Sequence, residues 1–343
     1  MMPLSLAFFV LFFCFFFFVC FCLPSDVAPN SSRSAPTLDP ELTDSKGLAV
    51  SLISPNRPDA APSTTTGCAV EAYGAVKVSV EDVAALRKAP GPLGGRTIPP
   101  SLLKHADHQT VLGLAALLRA VDDFGWHGRS FEDWGLIAAP RFLGRILVAA
   151  AMDRFKNRGV PGMSPLIIPT LSLHAVAGSL SLALKTHGFN YGVGGGHGHL
   201  VEALLTGLAA RDENNVPGVW IVATQFSPEP IPDLSGHSTN ASFGYAVALA
   251  LTSEEAAARS RLNLRVVPTS ARETGTGDDD RDVAGNDPPS GLVALSSFLD
   301  RSASSLRPRH WYCPLPGGGA LALDDDPARA SKPVAARRGV KAG

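Results

Sequence analysis

A histidine stands where this chain is built to expose a reactive group. Asn190-Tyr191-Gly192-Val193-Gly194-Gly195-Gly196-His197-Gly198-His199 is followed by the apolar-periodic Leu200-Val201-Glu202-Ala203-Leu204-Leu205. The pattern reads as a short buried strand, a glycine-rich elbow and a helix starting at about His197. Such an elbow presents one side chain among the unpaired N–H groups and the positive end of a helix. Those N–H groups can hold an oxyanion, so the geometry suits a nucleophile. The presented position here carries His197, where Cys or Ser would be the obvious choice. An imidazole at that point reads either as a polar group or general base in a pocket, or as the remnant of a site whose chemistry is gone.

The neighbouring groups narrow the chemistry. His197 and His199 suggest a metal pair to the eye, but positions two apart on a helix point about 200° from each other. No acidic or cysteine partner lies at a zinc spacing, so neither metal nor cofactor is expected. Gly194-Gly195-Gly196 is not a phosphate loop, because the P-loop lysine is missing and the dinucleotide spacing fails. Its use is close approach of backbone at a turn. His174, on the helix before the elbow, reads as a satisfied histidine or as lining of the same pocket. His237 reads as an exposed loop residue, and His105, His108 and His127 as flanks of the first long helix.

The elements that must hold the elbow follow from periodicity. Strands are expected at 69–80, 133–139, 190–193, 218–224, 242–252 and 262–267, with a last strand or hairpin at 311–323. Helices are expected at 110–124, 143–157, 172–185 closed by Gly188, 197–210, 254–261 and 291–299. Residues 165–170 read as extended and 271–290 as a polar loop. Val219-Trp220-Ile221-Val222-Ala223 is a continuous apolar run, the mark of a strand covered on both faces. Alternating strands and helices predict an α/β fold with a mainly parallel sheet and helices on both faces.

The 343 residues, 45% of them apolar, suffice for a proper core, and a net charge of −1 gives no electrostatic case for nucleic acid. Leu4 to Leu23 is a phenylalanine-rich apolar run long enough to span a bilayer. No basic residue precedes it and no small-residue cleavage site follows, so an uncleaved anchor fits better than a signal peptide. Arg33 and Lys46 then favour a cytoplasmic body, with membrane contact through 4–23. The remaining reading is a mis-assigned start codon and a soluble cytoplasmic protein. Residues 24–66 are a Pro/Ser-rich disordered linker, 67–325 the folded domain and 326–343 a disordered charged tail. Only Cys68 and Cys313 lie in the body, where a single bridge is conceivable if it is exported.

Asp133-Trp134-Gly135-Leu136-Ile137, Ser164-Pro165-Leu166-Ile167-Ile168-Pro169-Thr170, His174-Ala175-Val176-Ala177-Gly178-Ser179-Leu180-Ser181 and Gly188-Phe189-Asn190-Tyr191-Gly192-Val193 with its elbow resemble the N-terminal half of β-ketoacyl synthases. Ala246-Val247-Ala248-Leu249-Ala250-Leu251, Leu262–Val267, Trp311 and Gly317-Gly318-Gly319 extend the resemblance to the short, chain-length-factor-like variant of that thiolase-like family. The resemblance implies a thiolase-like half, an α/β unit with a five-stranded, mainly parallel sheet, helices on both faces and extra C-terminal strands, and it places His197 at the acyl-accepting cysteine. It implies that His174, Gly195, Gly196, Gly198 and His199 surround the substrate. In an active synthase the thiolate at that position carries the chain as a thioester. This sequence lacks the cysteine, and too little chain follows residue 270 for a full second half; His310 does not replace the family's second pair. A non-condensing subunit is therefore expected, binding acyl carrier protein or acyl-CoA and pairing as a homodimer or with a full ketoacyl synthase. An acyltransferase using His197 as base, and a structural relic, are the alternatives.

Overall fold

The computed structural model describes residues 67–89, 98–165, 167–233, 237–253, 260–268, 291–302, 305, 307–316 and 318–329. In chain order these give β1 (Gly67–Ser79), α1 (Val83–Lys88), α2 (Pro100–Lys104), α3 (His108–Asp123), β2 (Gly135–Pro140), α4 (Arg145–Arg158), α5 (Ile167–Thr170) and α6 (Leu173–Leu184). There follow β3 (Asn190–Gly192), α7 (His199–Asn214), β4 (Val219–Ser227), β5 (Phe243–Thr252), β6 (Leu262–Val267), α8 (Gly291–Ser302), β7 (Arg309–Pro314) and β8 (Ala320–Asp325).

These strands form one sheet in the order β3-β2-β4-β5-β1-β6-β8-β7. β3, β2 and β4 run parallel. β5 is antiparallel to both β4 and β1, so β1 runs with the parallel set. That portion is the expected mainly parallel unit. The sheet does not stop there, and the count is eight rather than five. β1 is 13 residues long, and its first residues pair with β6 on the edge away from β5. β8 and β7 extend the ladder antiparallel. An open edge beside β1 would leave N–H and C=O groups unpaired, and the C-terminal strands cover it.

The sequence alternation along each strand sorts the core into two layers. Trp220 and Val222 face α3 and α6 together with Leu136, Ala138, Ala246 and Ala248. Ile221 and Ala223 face α7 and α8 together with Ile137, Val247 and Leu249. Both faces of β4 are thus buried, which is why Val219–Ala223 is unbroken by polar residues. The α/β class with helices on both faces holds.

Three local readings change. Residues 167–170 form the short helix α5, since Pro165 fits a first helical turn and the Ser164 carbonyl accepts from Ile167 N. Lys185, left-handed at φ 60, closes α6 in place of Gly188. Gly188 serves close approach instead: a Cβ there would lie 2.5 Å from the Trp134 carbonyl oxygen. The helix after the elbow begins at His199, two residues later than expected. The expectations for 1–66, 271–290 and most of the 254–261 helix fall outside the described residues. Among the described residues no helix is long and apolar enough to cross a membrane. A Cys68–Cys313 bridge is ruled out by strand order, because β6 and β8 separate β1 from β7. Three strand spacings come to about 14 Å, against a Cα separation below about 7 Å for a disulfide.

Candidate functional site

The elbow sits at the carboxyl ends of the parallel strands, the place where open α/β sheets present ligand sites. β3 pairs with Leu136–Ala138 of β2, and Val193 N extends that ladder to the Ala138 carbonyl at 2.9 Å. The backbone then turns through Gly194 and Gly195, both left-handed at φ 83 and φ 96. A Cβ on Gly194 would fall 2.7 Å from the His199 Cβ, so the turn needs glycine for space as well as for φ. Gly195 bridges to Arg141, and its carbonyl accepts from Phe142 N at 3.2 Å. This ties the end of β2 to the elbow. Gly198 caps α7 without any side-chain hydrogen bond.

Arg141 is fixed at both backbone groups. Its N–H donates to the Thr224 carbonyl at 2.8 Å, and its carbonyl accepts from Gln109 Nε2 at 2.6 Å. Thr224 Oγ1 in turn donates to Gln109 Oε1 at 2.9 Å. Gln109 and Thr224 are buried, so α3, β2 and β4 together hold this residue. Its side chain reaches His197, with Nη2 2.7 Å from Nδ1. A guanidinium only donates, so Nδ1 accepts and the imidazole proton resides on Nε2. The edge-on Phe142 ring, centroid 5.2 Å away, packs against the imidazole. Phe142 is itself left-handed at φ 50 and lies under two cations, Arg141 at 5.0 Å and Arg145 at 4.9 Å. Two carboxylates lie nearby: Glu229, 3.8 Å from Arg141 Nε, and Glu202 in the first turn of α7, whose Oε1 is 3.3 Å from where a Gly198 Cβ would stand. Burial pushes the Glu229 pKa up, against the pull of Arg141 and Arg145.

His199 behaves differently from His197. It is 2% exposed, and its ring is enclosed beside the His197 and Gly196 carbonyls. Burial, and then the Arg141 charge, push its pKa down to about 4, although the His197 and Gly196 carbonyls favour the proton. One imidazole of the pair is therefore exposed and the other buried, His197 lying in the turn before α7 and His199 at its first position. Gly196 has open space where a Cβ would stand. His174 is exposed, and its ring lies along its own helix beside Gly178. Its backbone nevertheless supports the elbow, since a Cβ on Gly192 would lie 2.6 Å from His174 N. His310 is on β7, at the sheet edge opposite β3, bonded to Asp324 at 2.7 Å. Arg141, Phe142, Arg145 and Glu229 were not anticipated. Their one signal was position: Pro140-Arg141-Phe142 directly follows the β2 run, and Glu229 follows β4.

No protein-family model and no curated protein matches this chain. Solved structures do. A type II polyketide acyl carrier protein in complex with its ketosynthase matches at 14% identity over 76% of this chain and 99% of that chain, with a TM-score of 0.49. The ishigamide ketosynthase/chain length factor matches at 16% identity over 76% and 99%, TM-score 0.49. A ketosynthase in complex with its chain length factor from Xenorhabdus doucetiae matches at 12% identity over 76% and 99%, TM-score 0.45. At such identities and TM-scores the likeness assigns no activity.

Proposed function

We propose that this chain is a non-condensing ketoacyl-synthase-like subunit that binds acyl chains, or the acyl carrier protein or acyl-CoA bearing them, in fatty-acid or polyketide-type biosynthesis. The observation that carries the reading is His197. It occupies the turn before α7 at the carboxyl ends of the parallel strands, with Nδ1 held by Arg141. A thioester intermediate needs a nucleophile at that turn. Here the outward-facing nitrogen bears a proton and offers a hydrogen-bond donor. The same geometry weighs against the acyltransferase reading, because a general base needs a free lone pair toward the ligand.

A cavity of about 170 Å³ supports the carrier or coenzyme as partner. It is lined by Arg87, Lys104, His105 and Arg154, with Ser164 and Thr170. Such a cationic wall suits the phosphates that a carrier arm and coenzyme A share. Arg87 is held there by Nη1 hydrogen bonds to the Leu103 and Ala106 carbonyls. Pairing with a second subunit is supported by β3, a three-residue edge strand carrying exposed Tyr191, and by α4. That helix buries only Ile146 and Ala151 and exposes Val148, Met152 and Phe155 along one face. Unpartnered apolar faces of this kind mark interfaces.

The test is incubation of the purified chain with radiolabelled acyl-carrier protein and acyl-CoA. Retention of the labelled carrier without covalent transfer is expected. Label transfer that disappears in His197→Phe overturns the reading in favour of an acyltransferase. No retention and no transfer leaves only the fold.

A further inference from the structure

Three permanent cations converge on one cavity from separate parts of the chain. Arg87 comes from α1, Lys104 from the last position of α2 and Arg154 from the C-terminal half of α4. Their cavity, about 170 Å³, is more than ten times the ~15 Å³ that one water needs. The chain turns back tightly over α4 to close it, since a Cβ on Gly162 would lie 2.7 Å from the Arg154 carbonyl oxygen. Among the described residues no carboxylate lines the cavity, and none is in a salt bridge with Arg87, Lys104 or Arg154. Asp107, whose charge Arg87 feels, is buried outside that lining and caps α3 at Gln109 N. Burial raises the Asp107 pKa, which makes it a weak counter-ion. Asp153, beside Arg154, accepts from Asn157 Nδ2 at 3.1 Å. Like charges gathered without a counter-ion repel, and burial already pulls the Arg87 pKa down. An anion in the cavity would relieve both costs.

We propose that this cavity is a receptor for a dianionic phosphate monoester, and that it takes the terminal phosphate of an acyl-coenzyme A. The inference rests on the acyl-binding reading above and names which of its two acyl donors the cavity prefers. A phosphate monoester carries close to two negative charges at neutral pH and presents three strong acceptor oxygens. The phosphate of a carrier arm is a diester with a single charge, so it satisfies fewer of the donors. The carrier protein brings its own surface, and its retention does not require the cavity. Arg87 is the anchor. Its Nη1 is held by the Leu103 and Ala106 carbonyls, which orients the guanidinium and leaves Nε–H and the Nη2 hydrogens for a ligand. Arg154 offers a second planar fork and Lys104 a point charge, the two kinds of donor that phosphate oxygens take.

Calorimetric titration of the full-length chain with coenzyme A, dephospho-coenzyme A and inorganic phosphate tests this. Coenzyme A is expected to bind at least about tenfold more tightly than the dephospho form, which differs by the terminal phosphate alone. Arg87→Gln should weaken coenzyme A by about tenfold or more, and Lys104→Gln and Arg154→Gln by about threefold or more each. None of the three should change the affinity for dephospho-coenzyme A by more than about twofold, because substitution and phosphate removal delete the same contact. Lys104 and Arg154 are exposed, so their variants remain informative should Arg87→Gln fail to fold. Equal affinity for the two coenzymes, or equal losses for both in the Lys104 and Arg154 variants, overturns the receptor and leaves acyl binding standing. Inorganic phosphate that binds as tightly as coenzyme A overturns the coenzyme assignment in favour of a free-anion site. Retention of labelled carrier protein without binding of either coenzyme overturns only the receptor, whereas binding of none of these ligands sinks both readings.

Discussion

The buried imidazole of His199 makes the pH behaviour of this protein predictable. A histidine in an unfolded chain titrates near pH 6.5, whereas His199 in the fold is pushed down to about 4. Between those values the unfolded chain binds a proton that the folded chain refuses. Stability from this group is therefore fully present above about pH 6.5 and is lost as pH falls toward 4, by roughly 3 kcal/mol in order of magnitude. Asp107 works the other way. Burial raises its pKa, so its contribution is lost as pH rises through that raised value. The difference between wild type and His199→Phe isolates the imidazole. Urea midpoints measured from pH 7 to 4.5 should fall more steeply in wild type, and parallel curves would contradict the assignment.

At the scale of elements, the approach of strand to helix decides the geometry of the rim. β1 touches α3 so closely that a Cβ on Gly74 would lie 2.1 Å from the Ala116 carbonyl oxygen and 2.7 Å from Ala120 N. Both obstacles are backbone, so a Gly74→Ala substitution must part the two elements. A loss of about 3 kcal/mol is expected in urea unfolding, the upper range for overpacking. Gly128→Ala is the control, since nothing lies within 4 Å of that position, and it should cost less than about 0.5 kcal/mol. Because α3 also carries Gln109, the Gly74 variant should disturb Arg141, 67 positions along the chain, and so weaken ligand binding at the elbow.

For the whole molecule the open question is what covers the apolar face of α4. Val148, Met152 and Phe155 fall at helical spacing and are all at least 40% exposed. With a second subunit on that face, Met152→Glu and Phe155→Glu should shift sedimentation from dimer toward monomer without changing the circular dichroism spectrum. A wild type that sediments as a monomer together with a ketosynthase-free carrier complex would remove the pairing proposal. The opposite edge of the sheet is closed differently. Arg261 pairs with buried Asp325 and donates to the Ser302 and Ser305 carbonyls, which fastens β6 and β8 to the end of α8.

By itself the sequence determined where the strands and the longer helices lie, because side-chain period and turn residues act over a few neighbours. Leu262–Val267 is read to the residue, and the run around Trp220 announces a strand covered on both faces. The glycine-rich elbow is equally local, since Gly194 and Gly195 must adopt a conformation that other residues resist. Periodicity could not reveal Arg141 against His197, 56 positions apart, or Gln109 against Thr224, 115 apart. It could not reveal that β1 would recruit three further strands on its free edge. Only the tertiary structure decided those, because convergence depends on strand order and crossover direction, and a long-range pair leaves no periodic trace in the chain that makes it.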